Sequence, residues 1–204
     1  MDAMPKPYIP NDKWAHKAAA EGFRARSVYK LMELDERFRL LKQGQIVLDL
    51  GAAPGSWLQF ASTQIGPKGK VIGVDLTPIA EVASNVKTFT QDMTDGKAIA
   101  QILSDEGIAA IDLVLSDLAP NTSGVRDVDQ WRSIELSQSV VTIARQFLKP
   151  KGTCVIKVLR GADFDEFLRE CKVGWRTVKP VTVAASRDRS TEVYLILRDS
   201  LLQA

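Results

Sequence analysis

From Ile46 to Arg198, short apolar runs alternate with helical segments, and this alternation restricts the available folds more than any other feature of the chain. Ile46–Leu50 (IVLDL), Val71–Leu76 (VIGVDL), a weaker run at Val86–Thr90, Ile111–Asp117 (IDLVLSD) and Thr153–Leu159 (TCVIKVL) read as strands. Ser56–Ile65, Asp95–Ser104, Asp129–Leu148 and Asp163–Cys171 read as helices, two of them stopped by Gly66-Pro67 and by Pro150 with Gly152. Parallel strands need long crossovers, so strand–helix repetition predicts an α/β fold with helices on both faces of a mostly parallel sheet. The last two β-rich runs, Arg176–Ala184 and Thr191–Arg198, have only a polar loop between them. That link is too short for a parallel crossover, so the seven-stranded sheet is expected to carry one antiparallel strand. Ahead of the alternation, residues 13–41 carry a helical stripe broken at Gly22.

Composition narrows the class. The chain has 204 residues, 45% hydrophobic and 25% charged, which fits one globular domain and excludes wholesale disorder. The expected organisation is an irregular extension over residues 1–12, rich in proline, followed by a single domain over 13–204. No apolar run approaches the ~20 residues of a membrane helix. The first residues lack the apolar stretch of a secretory signal, so a cytoplasmic protein is expected, with no membrane partner. Cys154 and Cys171 read as buried free thiols, and a single histidine, His16, argues against a His-based triad or a zinc site.

Net charge is only +2, but it is segregated. Lys6 to Lys30 holds six Lys/Arg against two carboxylates, and Lys172 to Arg189 five against one. Asp92 to Asp129 holds eight carboxylates against two cations. Such a pattern suits a face that attracts a polyanion, or simply a solvated surface.

Ligands of open α/β sheets bind beyond the carboxyl ends of the strands, so polar residues there carry the chemistry. The first strand runs into Asp49-Leu50-Gly51-Ala52-Ala53-Pro54-Gly55-Ser56-Trp57, a small-residue turn opening a helix. It is neither GxGxxG nor a phosphate-binding P-loop. Asp75, about 20 residues on, is placed to accept from ribose hydroxyls. Asp92, after the third strand, is placed to accept from an adenine amino group. Together they point to an adenosine ligand without a pyrophosphate, for which S-adenosylmethionine is suited. Asp117 ends the fourth strand. Lys157 lies inside an otherwise apolar strand, where a lysine is costly unless paired or used. Taken alone, Lys30 reads as a surface helical lysine and Glu192 as an edge carboxylate.

In sequence order, EGFRARSVYKL at Glu21–Leu31, DLGAAPGSW, VIGVDL, SDLAPNTSG, VIKVLRG and SRDRSTEVYL resemble the FtsJ/RrmJ family of ribose 2′-O-methyltransferases. The resemblance runs from about Lys13 to Leu197 and implies a Rossmann-like methyltransferase fold. It implies a Lys-Asp-Lys-Glu tetrad at Lys30, Asp117, Lys157 and Glu192, and S-adenosylmethionine contacts at Gly55, Trp57, Asp75, Asp92 and Asp117. Ser56 stands where many relatives have a second glycine. Within the family, the short single-domain form is most similar to bacterial enzymes that methylate a uridine ribose of 23S rRNA. The implied partner is therefore ribosomal RNA in the large subunit, approached by a monomer that needs no metal. Lys13, Lys17, Arg24, Arg26, Arg187 and Arg189 are candidates for holding RNA phosphates.

Lys157 is expected to act as general base, with Asp117 orienting it and Lys30 and Glu192 holding the ribose; a charged Lys157 stabilising the alkoxide is the alternative. A tRNA anticodon loop or an mRNA cap are competing substrates. A non-catalytic RNA-binding assembly factor and a nicotinamide oxidoreductase are readings of a different class.

Overall fold

The computed structural model describes residues 13–120, 123–186 and 190–201. The expected 1–12 extension, Arg187 and Arg189 lie outside the described residues. The elements follow the order α1 (Lys13–Ala20), α2 (Val28–Phe38), β1 (Ile46–Leu50), α3 (Ser56–Ile65), β2 (Lys70–Asp75), β3 (Val86–Thr90) and α4 (Gly96–Asp105). They continue with β4 (Ile111–Ser116), α5 (Arg126–Phe147), β5 (Leu148–Leu159), α6 (Phe164–Gly174), β6 (Trp175–Val181) and β7 (Glu192–Ser200).

The strands form one sheet in the order β3-β2-β1-β4-β5-β7-β6. Every pair from β3 to β5 is parallel, and β7 runs antiparallel to both β5 and β6. The last strand thus enters between β5 and β6 and sets Glu192 beside Leu159 and Tyr194 beside Lys157. Successive side chains of a strand point to opposite faces, and both faces here are apolar. Leu48, Ile72, Val114, Cys154, Ile156 and Leu195 pack beneath α4, α5 and α6. Val47, Val71, Leu113, Leu115, Val155 and Ile196 pack beneath α2 and α3. Lys157 lies two residues beyond Val155, so its strand position faces the α2/α3 side.

The helical stretch over 13–41, expected to break at Gly22, is two helices parted there. Phe23 N donates to Ala18 O and Gly22 N to Ala19 O, a cap in which Gly22 adopts φ +78°. The chain then turns through residues 21–27 before α2, and this detour brings Lys30 to the carboxyl ends of the strands. Smaller shifts occur at element ends: β2 stops at Asp75, and Leu76 is exposed. Cys154 and Cys171 are buried free thiols. Among the described residues no helix is long and apolar enough to cross a membrane.

Candidate active site

Five parallel strands bring their carboxyl ends to one rim, and the chemistry of the chain collects there. Asp117 follows β4, Lys157 lies near the end of β5, Glu192 opens the antiparallel β7, and Lys30 reaches in from α2. Lys157 Nζ donates to Asp117 O at 2.6 Å and lies 3.1 Å from Asp117 Oδ1. Lys30 Nζ bonds Glu192 Oε2 at 2.9 Å and lies 3.7 Å from Asp117 Oδ1. Lys157 Nζ is 3.8 Å from Glu192 Oε1. Both lysines are 6% exposed, a burial that a lone ammonium does not tolerate and two carboxylates offset. The four tetrad residues expected from the sequence therefore meet in one cluster.

Two neighbours that sequence reasoning missed complete it. Tyr194 Oη donates to Asp117 Oδ1 at 2.5 Å, and Ser186 Oγ bonds Glu192 Oε2 at 2.9 Å. Tyr194 could have been found by period-two counting, because it shares a strand face with Glu192. Burial pushes the Tyr194 phenol well above its usual value, and Asp117 adds to this, so Tyr194 remains a donor. Burial also pushes the Glu192 carboxyl up, but Lys30, Lys157 and Ser186 outweigh it and hold Glu192 below the ordinary carboxylate value.

A cavity of about 790 Å³ opens beside this cluster, lined by Gly51, Asp75, Asp92, Met93, Leu118 and Pro120 among others. Asp75 accepts from Ala53 N at 2.9 Å and Thr77 N at 2.8 Å, which fixes its carboxylate at the cavity wall. Asp92 accepts from Thr94 N and Oγ1, both at 2.8 Å, and these bonds lower its pKa. Gly51, at φ +82°, lines this cavity and also a small one of about 40 Å³ bounded by Ser27, Asp49, Ser56, Trp57 and Asp117.

Asp49 is the third residue that sequence reasoning left without a role. It is 1% exposed, and neither carboxylate oxygen has a hydrogen-bond partner among the described residues. Burial, reinforced by Asp117 and Asp75, drives its pKa well above the carboxylate range. An orphaned buried acid on a cavity wall shared with Asp117 marks a candidate ligand position.

The other expected contacts divide. Trp57 donates its indole N–H to Ser27 O at 2.8 Å and stands 6.2 Å from the Tyr194 ring, walling the small cavity. Gly55 lines neither cavity; a side chain there would meet the Arg24 guanidinium. Ser56 opens α3, with its Oγ 2.9 Å from Ser27 Oγ, so serine is accommodated where relatives carry glycine.

Of the expected phosphate-binding cations, Lys13 and Lys17 are exposed on α1, their Nζ atoms 5.7 and 5.5 Å from the Trp14 ring. Lys17 also pairs with Glu21 at 3.8 Å. Arg24 is engaged differently: it donates to the carbonyls of Pro54, Ala80 and Glu81 at 3.2, 2.9 and 2.6 Å. It clamps the Gly51–Ser56 turn to the segment after β2. Arg26 is half-buried.

Comparison with known proteins places this architecture. The family model described as FtsJ-like methyltransferase matches residues 23–200. The Ribosomal RNA large subunit methyltransferase E of Azoarcus sp. (strain BH72) is 47% identical over 186 residues, 91% of this chain and 90% of that protein. Its namesake from Bdellovibrio bacteriovorus is 42% identical over 190 residues, 93% of this chain and 96% of that protein. Among solved structures, a ribosomal RNA methyltransferase from Plasmodium falciparum superimposes with a TM-score of 0.78 at 26% identity, covering 88% of this chain and 99% of that one.

Proposed function

The chain belongs to the FtsJ-like methyltransferase family, and from that premise we propose that it transfers the methyl group of S-adenosylmethionine to a ribose 2′-hydroxyl of 23S rRNA in the large ribosomal subunit. The observation that carries the chemistry is the Lys30–Asp117–Lys157–Glu192 cluster beside a cavity sized for a nucleoside. The substrate follows from the relatives, whose names state ribosomal RNA of the large subunit.

S-adenosylmethionine supplies an activated methyl on a sulfonium. Asp92 accepts from the adenine amino group and Asp75 from the ribose hydroxyls. Asp49 and Asp117 face the cationic methionine end in the small cavity, beside Trp57. Gly55 acts through the turn that Arg24 braces. Lys30 and Glu192 hold the target ribose. The 2′-oxygen attacks the methyl carbon as the carbon–sulfur bond breaks, and the bonding pair stays on sulfur as a neutral thioether. Lys157, acting as the neutral amine, takes the hydroxyl proton to become an ammonium, and Asp117 aims it. A neutral leaving group needs no Lewis acid, so transfer proceeds without a metal. Lys13, Lys17 and Arg26, with Arg187 and Arg189, hold flanking phosphates. The protein acts in the cytoplasm as a monomer of one domain.

The test uses labelled S-adenosylmethionine with large subunits or bulk tRNA, both from cells lacking the enzyme. Label is expected on 23S rRNA and absent with Lys157→Ala. Lys157→Arg separates the two roles of the lysine, because arginine keeps the charge and cannot accept the proton. An active Lys157→Arg enzyme overturns the general-base assignment; label on tRNA alone overturns the substrate.

A further inference from the structure

A second cleft, of about 810 Å³, lies at the opposite end of the sheet. Its wall joins the end of α2, the entry to β1, the start of β5 and the far end of β7. The stretch of β7 from Glu192 to Arg198 separates it from the tetrad by ~20 Å, at ~3.4 Å per residue. Arg39, Lys42, Lys149, Lys151 and Arg198 line it, and Asp112 is the carboxylate among its lining residues. That carboxylate is already engaged: it holds Lys149 Nζ at 2.9 and 3.0 Å and accepts from Ile46 N at 2.8 Å. Arg39, Lys42 and Lys151 are exposed and have no ion pair among the described residues. Arg198 bonds Phe38 O at 2.7 Å, and its buried Nε has no partner among the described residues. Lys179 extends the patch, its Nζ 5.3 Å from the Phe38 ring.

The backbone singles out the same place. Three described non-glycine residues have positive φ, and two of them are cations of this cleft: Arg39 at 49° and Lys151 at 64°. Glycine takes that conformation without steric cost, whereas side-chain-bearing residues hold it where the surroundings impose it. Here two long, exposed cationic side chains line the cleft, where glycine would add no charge.

We infer that this cleft is a second RNA-binding site, holding a phosphate-backbone segment of the substrate RNA remote from the target ribose. It rests on the reading that the substrate is ribosomal RNA. One short strand cannot occupy both ends of the sheet, so a second segment of a large folded RNA fills the cleft. Two linked contacts raise the effective concentration of the target at the active site. The cleft therefore governs capture of large RNA and not the chemical step.

The experiment compares wild type with Arg39→Gly/Lys42→Gln/Lys151→Gly, in which both glycines suit the left-handed backbone. A control, Lys87→Gln/Lys97→Gln/Lys172→Gln, removes equal charge from exposed positions elsewhere. Binding to protein-free 23S rRNA is measured across salt, and methyl transfer to large subunits in parallel. The cleft variant is expected to bind ~10-fold more weakly, with a log–log salt slope reduced by about 2 for three lost phosphates at ~0.7 each. Its kcat stays at the wild-type value while KM rises. Equal losses in the control overturn the proposal, since any surface charge would then do. A loss confined to assembled subunits, with naked rRNA bound normally, overturns it in favour of an acidic protein partner. The active-site reading fails separately, by absence of methyl transfer from the wild type, because the cleft is judged on binding alone.

Discussion

Replacing Asp49 by asparagine should stabilise this protein and weaken its grip on the methyl donor. The carboxyl is fully buried, lacks a hydrogen-bond partner among the described residues, and sits near Asp117 and Asp75, so its folded pKa is raised well above its normal value. The unfolded chain gives up this proton near pH ~3.9. Above that pH, and up to the raised folded value, the native state binds one proton more than the unfolded state. Stability therefore falls as pH rises through this window, by up to about 1.4 kcal/mol per pH unit for this one group. Asparagine has the same shape and cannot ionise, so it removes that slope while leaving a buried polar group in place. Every other titrating group is shared, so the difference between variant and wild type isolates Asp49. Inside the window the difference grows with pH in favour of Asp49→Asn. Urea denaturation of both proteins at pH 5, 6 and 7 measures it, with unchanged m-values as the check on compactness. A cationic donor favours the ionised acid, so wild-type donor affinity should rise with pH while the variant's stays flat, as titration calorimetry reads. A stability difference that does not grow with pH, or one that moves toward wild type, refutes the reasoning. Stability given up at an orphaned acid is the expected signature of a ligand site.

Tyr194→Phe removes the phenol donor from Asp117 Oδ1, which keeps Lys157 at 3.1 Å. Losing about 1.5 kcal/mol of charge-assisted bonding lowers kcat ~10-fold at unchanged donor KM, whereas a purely structural tyrosine would change only the melting temperature. Glu192→Gln strips Lys30 of its closest carboxylate and destabilises by about 3 kcal/mol, the low end for a broken buried pair because Asp117 remains 3.7 Å away. Because the folded Glu192 pKa is depressed, its contribution is present above the unfolded value of ~4.3 and is lost as pH falls through the folded value; denaturation from pH 7 to 3 should show a shallower acid limb in the variant. Gly51→Ala forces a side chain against Leu118 at φ +82°. It should cost ~1–3 kcal/mol in denaturation and abolish measurable donor binding in calorimetry, since Gly51 lines both cavities.

Much of this protein can be read from local pattern. Period-two and helical periodicities are properties of short windows, so the strands, the helices between them and the antiparallel final strand were all legible. The places of Asp75, Asp92 and Asp117 were legible because a parallel sheet puts its strand ends on one rim. Lys157 was legible because a cation inside an apolar strand needs a partner. The identity of that partner was a tertiary matter. Lys30 and Glu192 are 162 residues apart in sequence and meet only because β7 enters between β5 and β6 while the Gly22 cap redirects α2. The same placement decided that Tyr194 holds Asp117, that Arg24 clamps carbonyls, and that Asp49 has, among the described residues, none of the partners its burial calls for. Local sequence determines which face a side chain takes. The packing of distant segments decides what waits there, because desolvation and hydrogen bonding depend on every neighbour at once.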